Sequence, residues 1–407
     1  MTATRDKVYN VGGIALPRPF KLRRLGHFGL NVRDTQACLR FYRDLLGFKL
    51  SDVMDFRASP ANAERLKDVE DTNGYFLHYG TDHHAFVLFP RGVFEGGRNQ
   101  PADIDINQIT WQVGTLAEAV NAVDYFGARG VHVVRSGRDM PGSNWHTYAL
   151  DPDAHTIELY YGMEQIGWDG RSKPRDMYYR KFRERPELPQ PSEEAEVGEA
   201  MAKGIDVHSG HRDQETMLAK YDVGGVLLPR PFKVTRIGPV GIFVRDVEAS
   251  LAYYRDTMGF VLTEETHVGG HRCVFLRVGA EHHSLALFPR PLRDDLGLSA
   301  QSTLASFGTE VGSYEQLRNA SGFLGEHGVE IRELPAEMHP GIDYAAYAID
   351  PDGHCIQLYY YMEQVGWQGA PRRPEQRRTA LALADWPDVL EPLSDTYADQ
   401  TFQGPLG

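Results

Sequence analysis

Residues 27–32 alternate strictly. Phe28, Leu30 and Val32 face one side and His27, Gly29 and Asn31 the other, which is the period of a half-buried strand. Asp34 then stands where a helix N-cap belongs, Phe41, Tyr42, Leu45 and Leu46 form an apolar helical stripe, and Gly47 ends it. Three strands are predicted to follow, the last over 84–89. A second stretch repeats the plan. It has a strand over 108–113, a helix opened by Thr115 and Glu118 at capping-box spacing and closed by Gly130, then strands near 131–135, 146–150 and 156–161. Each stretch reads βαβββ.

The whole pair then recurs. Val11-Gly12-Gly13 and Leu16-Pro17-Arg18-Pro19-Phe20-Lys21 return 212 positions later as Val223-Gly224-Gly225 and Leu228-Pro229-Arg230-Pro231-Phe232-Lys233. Phe89-Pro90-Arg91 returns only 199 positions later, as Phe288-Pro289-Arg290, and Ser313 and Gln316 repeat the capping-box spacing. The first copy therefore holds 13 extra residues, assigned to the polar stretch Asp52 to Tyr75 with its Ser59-Pro60 and Asn73-Gly74 pairs. A lid or rim loop is expected there. The predicted organisation is a paired-βαβββ domain over 1–170, a charged proline-containing linker over 171–220, a second paired domain over 221–370 and a tail over 371–407. Trp168 and Trp367 recur at the repeat ends and are expected to pack against their own barrel or a neighbouring subunit.

Asp151-Pro152-Asp153 is a turn that feeds the strand Thr156-Ile157-Glu158-Leu159-Tyr160, where Glu158 lies on the face opposite Ile157 and Leu159. A carboxylate facing a sheet interior must be paired or bound to a metal. The copy, Asp350 to Tyr360, is nearly the same but carries Gln357 where Glu158 stood. His27 is likewise replaced, by Pro239. The joint loss of both from a faithful copy marks them as metal ligands rather than ordinary strand residues.

Composition narrows the function. With 407 residues, 42% of them hydrophobic, the chain can bury substantial cores. A net charge of -13 with no basic stripe argues against nucleic acid and anionic membranes and favours a small-molecule substrate. The distant Cys38, Cys273 and Cys355 form no pair motif, which suits a reduced cytoplasm, and no apolar run is long enough to span a bilayer. No glycine pattern points to a nucleotide.

Four βαβββ units in two tandem pairs, with openings like Gly26-His27-Phe28-Gly29-Leu30 and endings like Asp151-Pro152-Asp153 to Glu158-Leu159-Tyr160, resemble the vicinal oxygen chelate superfamily. Within it, the pair of pairs resembles the type I extradiol ring-cleaving dioxygenases. The resemblance implies an α+β fold in which each pair wraps its sheet into an open barrel, a homo-oligomer, and metal ligands at His27, Gln108 and Glu158. Gln108 stands where that family carries a second histidine, and water or another side chain could fill its place. The second repeat offers Pro239, Ser306 and Gln357 at the three positions, so the first repeat is expected to be the active half, whereas the family's usual order puts the active half second.

The resemblance further implies an acid-base histidine at His84 and a substrate-orienting tyrosine at Tyr148, and strand alternation adds His146 beside it. His83-His84 recurs as His282-His283 in the other half, so one of each pair is also expected to serve the fold, as are His155 and His354. The expected activity is cleavage of a catechol-like aromatic by O2 with Fe(II), or with Mn(II) or another divalent metal. Trp111, Trp145, Tyr75 and Phe76 are candidates for the aromatic wall. A glyoxalase-like isomerase or lyase would use zinc, nickel or manganese and a further carboxylate on the first unit's last strand, where Val87, Leu88 and Phe89 stand instead. A metal-free binding protein is the remaining alternative.

Overall fold

The computed structural model describes residues 7–95, 102–138, 142, 144–177, 184–365, 369–377 and 382–390. A short hairpin, β1 (Tyr9–Val11) and β2 (Ile14–Leu16), turns on Gly12 and Gly13, both at positive φ, where glycine is needed. The first large sheet follows: β3 (Leu22–Val32), β4 (Lys49–Asp55), β5 (Asn73–His78), β6 (Phe86–Pro90), β7 (Ile106–Val113), β8 (Val133–Arg138), β9 (Trp145–Leu150) and β10 (Thr156–Tyr161). Their order is β4-β5-β6-β3-β7-β10-β9-β8. Each βαβββ unit lays its first strand parallel to its last, β3 on β6 and β7 on β10, and the two first strands pair antiparallel as the seam.

The second copy repeats this. After the hairpin β11 (Tyr221–Val223) and β12 (Val226–Leu228) come β13 (Val234–Val244), β14 (Val261–Val268), β15 (His271–Arg277), β16 (Leu285–Pro289), β17 (Leu304–Val311), β18 (Ile331–Arg332), β19 (Ala345–Ile349) and β20 (Cys355–Tyr359). The order is β14-β15-β16-β13-β17-β20-β19-β18, the same arrangement strand for strand.

Local signals act largely as the sequence indicates. Gly47 (φ 85°) and Gly259 (φ 90°) take the left-handed conformation where the helical segments after β3 and β13 stop. Thr115 caps the helix Leu116–Gly127 by accepting from the Glu118 amide, and its hydroxyl donates at 3.2 Å to the Glu118 carboxylate. That carboxylate also accepts from the Lys21 amide at 2.9 Å, and Gln316 does the same for Lys233 in the second copy. Each helix is thus tied to the start of its sheet's central strand.

Three expectations are revised. The insertion is narrower than Asp52 to Tyr75, because β4 and β5 pair as far as Asp55 and Asn73. The extra residues form a 3-10 turn (Phe56–Ala58) and a short helix (Pro60–Ala63), and Phe56 folds back edge-on to Phe89 and Phe94. Part of the expected linker is built into the first unit: the helix Glu193–Ala202 carries Glu196, whose buried carboxylate is 2.6 Å from the buried Arg138 guanidinium. Trp168 is 94% exposed rather than packed on its own unit, and Trp367 lies outside the described residues.

Compact units do not follow the repeats. One comprises Met1–Thr35, Lys49–Gln100 and Ile106–Glu215; the other adds Gln36–Phe48 and Pro101–Asp105 to Thr216–Gly407. Within the second, His354 explains much of that grouping. Its Nδ1 lies 2.8 Å from Asp350 and its Nε2 2.7 Å from Asp105, while the Tyr42 hydroxyl donates to Asp350 at 3.0 Å. Burial opposes a charged imidazole here, but the two carboxylates outweigh it and raise the His354 pKa well above its ordinary value. Burial also opposes ionised Asp350, yet the His354 charge and hydrogen bonds hold it below the usual carboxylate range.

His354→Ala leaves two buried carboxylates unpaired and should destabilise the protein by about 3–5 kcal/mol in chemical denaturation. The raised His354 pKa stabilises fully below about pH 6.5, and that contribution is lost as pH rises through the folded value; the Asp350 contribution is lost as pH falls through its lowered value. A stability profile across pH should therefore lose both an acidic and an alkaline limb in the mutant.

Candidate metal centre

The inner face of the first sheet is assembled by strand register. Glu158 pairs across to Tyr148 on β9 and Thr110 on β7, Tyr160 to His146, His27 to Thr110, and Gly29 to Gln108. Side chains two apart on a strand share a face, so Glu158 and Tyr160, His146 and Tyr148, and Gln108 and Thr110 all look inward. The other half of the same face is apolar: Phe76, Val87 and Phe89, all buried, pack with Met54, Phe56 and Phe94. The last strand of the first βαβββ unit thus supplies no carboxylate.

Glu158 is 0% exposed and is the centre's organising group. Its Oε2 lies 2.9 Å from His27 Nε2 and accepts from the Thr110 hydroxyl at 2.8 Å and the Gln108 amide at 3.2 Å; Oε1 accepts from Asn144 at 2.6 Å. An ionised carboxylate only accepts, so His27 carries its proton on Nε2. Its Nδ1 is buried without a hydrogen-bond partner.

Beside it the His84 ring lies 4.6 Å from the His27 ring and 5.2 Å from that of Phe76. Burial, with smaller effects from His27 and His83, pushes the His84 pKa well below its ordinary value and keeps the ring neutral. Its Nδ1 is 3.0 Å from His83 Nδ1, and His83 Nε2 is 3.0 Å from Asp52 Oδ2. Tyr148 donates weakly to Gln108 Oε1 at 3.5 Å. Arg135 reaches both Tyr148, 4.3 Å over its ring, and His146 Nε2 at 2.9 Å.

The structure therefore gathers His27, Gln108, Glu158 and Tyr148 through direct contacts, with His84 against His27 and His146 against Tyr148. Of the four aromatic-wall candidates only Phe76 stands beside the histidine pair. Trp111 alternates away from Thr110, Trp145 away from His146, and Tyr75 away from Phe76. Sequence reasoning missed Thr110, Asn144, Arg135 and Asp52. Thr110 was findable, being two residues from Gln108 on the same strand, whereas the partnership of Asp52 with His83 rests on a pairing across β4 and β5 that carries no sequence signature.

The donor set can be tested for an ion. Adjacent ligands on an octahedral ion with bonds of about 2.1 Å stand roughly 3.0 Å apart. His27 Nε2 and Glu158 Oε2 are 2.9 Å apart, and the Gln108 amide end is 3.2 Å from the same oxygen. Since amide oxygen and nitrogen exchange by a flip, Gln108 can present oxygen there. No cluster of three His, Cys, Asp or Glu forms among the described residues, and the amide of Gln108 is the further donor within reach of the pair. An imidazole, a carboxylate and an amide fit a hard or borderline divalent ion.

The second sheet shows the same positions without the donors. Gly241 pairs to Ser306 as Gly29 does to Gln108, and Tyr347 to Gln357 as Tyr148 does to Glu158. Gln357 donates to the Tyr347 hydroxyl at 3.0 Å, which also bonds His339 Nδ1 at 2.8 Å. It is a neutral network.

Fold and site together define a tandem paired-βαβββ protein whose first sheet carries a polar, carboxylate-centred inner face. The chain belongs to the Glyoxalase/Bleomycin resistance protein/Dioxygenase superfamily, whose profile matches residues 24–159 and 236–358. It is 31% identical over 151 residues to biphenyl-2,3-diol 1,2-dioxygenase of Paraburkholderia xenovorans (strain LB400), covering 37% of this chain and 43% of that protein. It is 39% identical over 66 residues to an iron-dependent extradiol dioxygenase of Rhodococcus jostii (strain RHA1), covering 16% and 21% respectively. The chain thus spans less than half the length of the curated relatives it matches. Among solved structures it resembles a catechol 2,3-dioxygenase (TM-score 0.51, 17% identity, 95% of this chain and 97% of that one). It also resembles a Mn(II)-bound glyoxalase from Novosphingobium aromaticivorans (TM-score 0.52, 15% identity, 85% and 84%). Among the described residues no helix is long and apolar enough to cross a membrane.

A Cβ on Gly26 would fall 2.1 Å from the buried Tyr160 ring beside the centre. Gly26→Ala should cost about 1–3 kcal/mol of stability through overpacking. In a Tyr160→Ala background the same substitution should cost little, which a double-mutant denaturation cycle would reveal.

Proposed function

We propose that this protein is a divalent-metal-dependent extradiol dioxygenase acting on a catechol-like aromatic, with its active centre in the first repeat. The convergence of His27, Gln108 and Glu158 beside a neutral, buried His84 carries the reading. His27 Nε2, Glu158 and the Gln108 amide would hold the ion, the His27 proton then standing on the otherwise unpartnered Nδ1, with Thr110 and Asn144 fixing the carboxylate. Iron(II) is the metal best suited to the reaction, because when bound it brings a diol and dioxygen together and passes electrons between them. Both oxygen atoms end in the ring-opened product, so no external reductant is required.

The chain's own residues supply the rest. His84, neutral in a dry setting, is placed to take a proton from a substrate hydroxyl and return it later. Tyr148 and His146 orient the substrate oxygens, and Arg135 behind both keeps positive charge near a deprotonated diol. Phe76, Val87 and Phe89 form the apolar wall for the ring. The absence of a carboxylate from β6 weighs against the isomerase reading, and the dioxygenase relatives support ring cleavage.

Glu158→Gln reproduces the second repeat. Anaerobically purified wild type should contain near-stoichiometric iron by elemental analysis and consume oxygen with a catechol. Glu158→Gln and His27→Ala should lose the metal by 10-fold or more and turnover with it. Full metal and turnover in either variant would refute the assignment.

A further inference from the structure

We infer that Asp52 and His83 are positioning residues that fix which nitrogen of His84 carries its proton, leaving His84 Nε2 bare. The hydrogen bonds have a direction. Asp52 is a carboxylate and only accepts, so the 3.0 Å contact places a proton on His83 Nε2. We take His83 as a neutral imidazole, whose one proton is then on Nε2 and whose Nδ1 is a lone pair. It can accept at 3.0 Å only from His84 Nδ1–H, and His84 Nε2 is left without a proton. Asp52 thus dictates the starting state of a ring two links away.

The surroundings hold this chain rigidly. His83 and His84 are 1% and 3% exposed, the rings cross at 89°, and Ser51 donates to the His83 carbonyl while bonding His78 Nδ1 at 2.7 Å. Gly142 packs so closely that a Cβ there would lie 2.9 Å from both Nδ1 atoms. The second unit keeps an equivalent chain, with His282 Nε2 2.9 Å from Glu264 and His282 Nδ1 3.1 Å from His283 Nδ1. A carboxylate, a bridging histidine and a terminal histidine therefore persist where the other donors have gone, but only the first unit delivers the last ring to a carboxylate centre.

The inference rests on the proposed function only in giving His84 a base's task. The test reads the tautomer directly, by proton–nitrogen correlation on metal-free protein labelled with 15N-histidine, the His84 signals being assigned from their loss in His84→Gln. The expected wild-type result is a proton on His84 Nδ1 and none on Nε2. Asp52→Asn removes the obligate acceptor and should turn this single tautomer into a mixture, and Asp52→Glu should restore it. In turnover, Asp52→Asn should lower kcat about 2–10-fold, in proportion to the competent tautomer lost, with metal content and KM little changed. A wild-type proton on His84 Nε2, as an imidazolium at His83 would produce, overturns the inference even if oxygen uptake with catechols is found. The expected tautomer without any such uptake upholds the chain and refutes the dioxygenase reading.

Discussion

A carboxylate with no access to water must be answered by protein groups, and Glu158 is answered by four side chains. His27 comes from the seam strand β3, Gln108 and Thr110 from β7, and Asn144 from just before β9. These contacts exist only if the two βαβββ units meet in one register, since a one-residue slip would turn every inward side chain outward. The centre therefore requires the fold to be right to within one residue. In return it ties together strands that belong to different units of the repeat.

The duplicated half shows what happens when that constraint is relaxed. Gln357 needs no cation; it donates to Tyr347 across the same register, Tyr347 bonds His339, and the network is neutral, with the Gln357 amide oxygen buried and unpartnered. The scaffold survives because its strand pairing, its glycine stops and its turn with Asp350 or Asp151 do not depend on the centre. Even the Asp-Pro-Asp turn has its own anchor, since His155 and His354 each bond the turn's first aspartate at 2.9 and 2.8 Å. Those histidines recur with the fold, whereas His27 and His146 give way to Pro239 and Ala345 in the second half.

That contrast explains what could be read from the chain. Internal repetition exposes the architecture and the isolation of Glu158 and His27, because a copy acts as a control for each residue. Strand alternation places His146 with Tyr148 and Gln108 with Thr110, since the period of a strand is fixed by its geometry. What remained hidden depends on pairing between distant strands or on a residue's second partner: Asp52 behind His83, Arg135 behind His146, and Glu118 holding the Lys21 amide as well as its own cap. Of the aromatic-wall candidates, Trp111, Trp145 and Tyr75 fall on the opposite face by strand parity. The compact units likewise escape the repeat pattern, because the grouping of Tyr42 and Asp105 with Asp350 and His354 is carried by buried charge rather than by periodicity.

Gln108 has a consequence for how such a centre would work. Exchanging an imidazole for an amide removes no charge, since both are neutral ligands, so a divalent ion with Glu158 alone still carries one net positive charge. A diol that has lost one proton brings that to zero inside a buried site, where uncompensated charge is most costly. The amide is the weaker donor, so such a site would hold its ion less tightly than one with two imidazoles and would depend more on the groups that orient Glu158. Thr110, at 2.8 Å, and Asn144, at 2.6 Å, are those groups. A site short of one strong ligand can be expected to lean on the hydrogen bonds behind the ligand it retains.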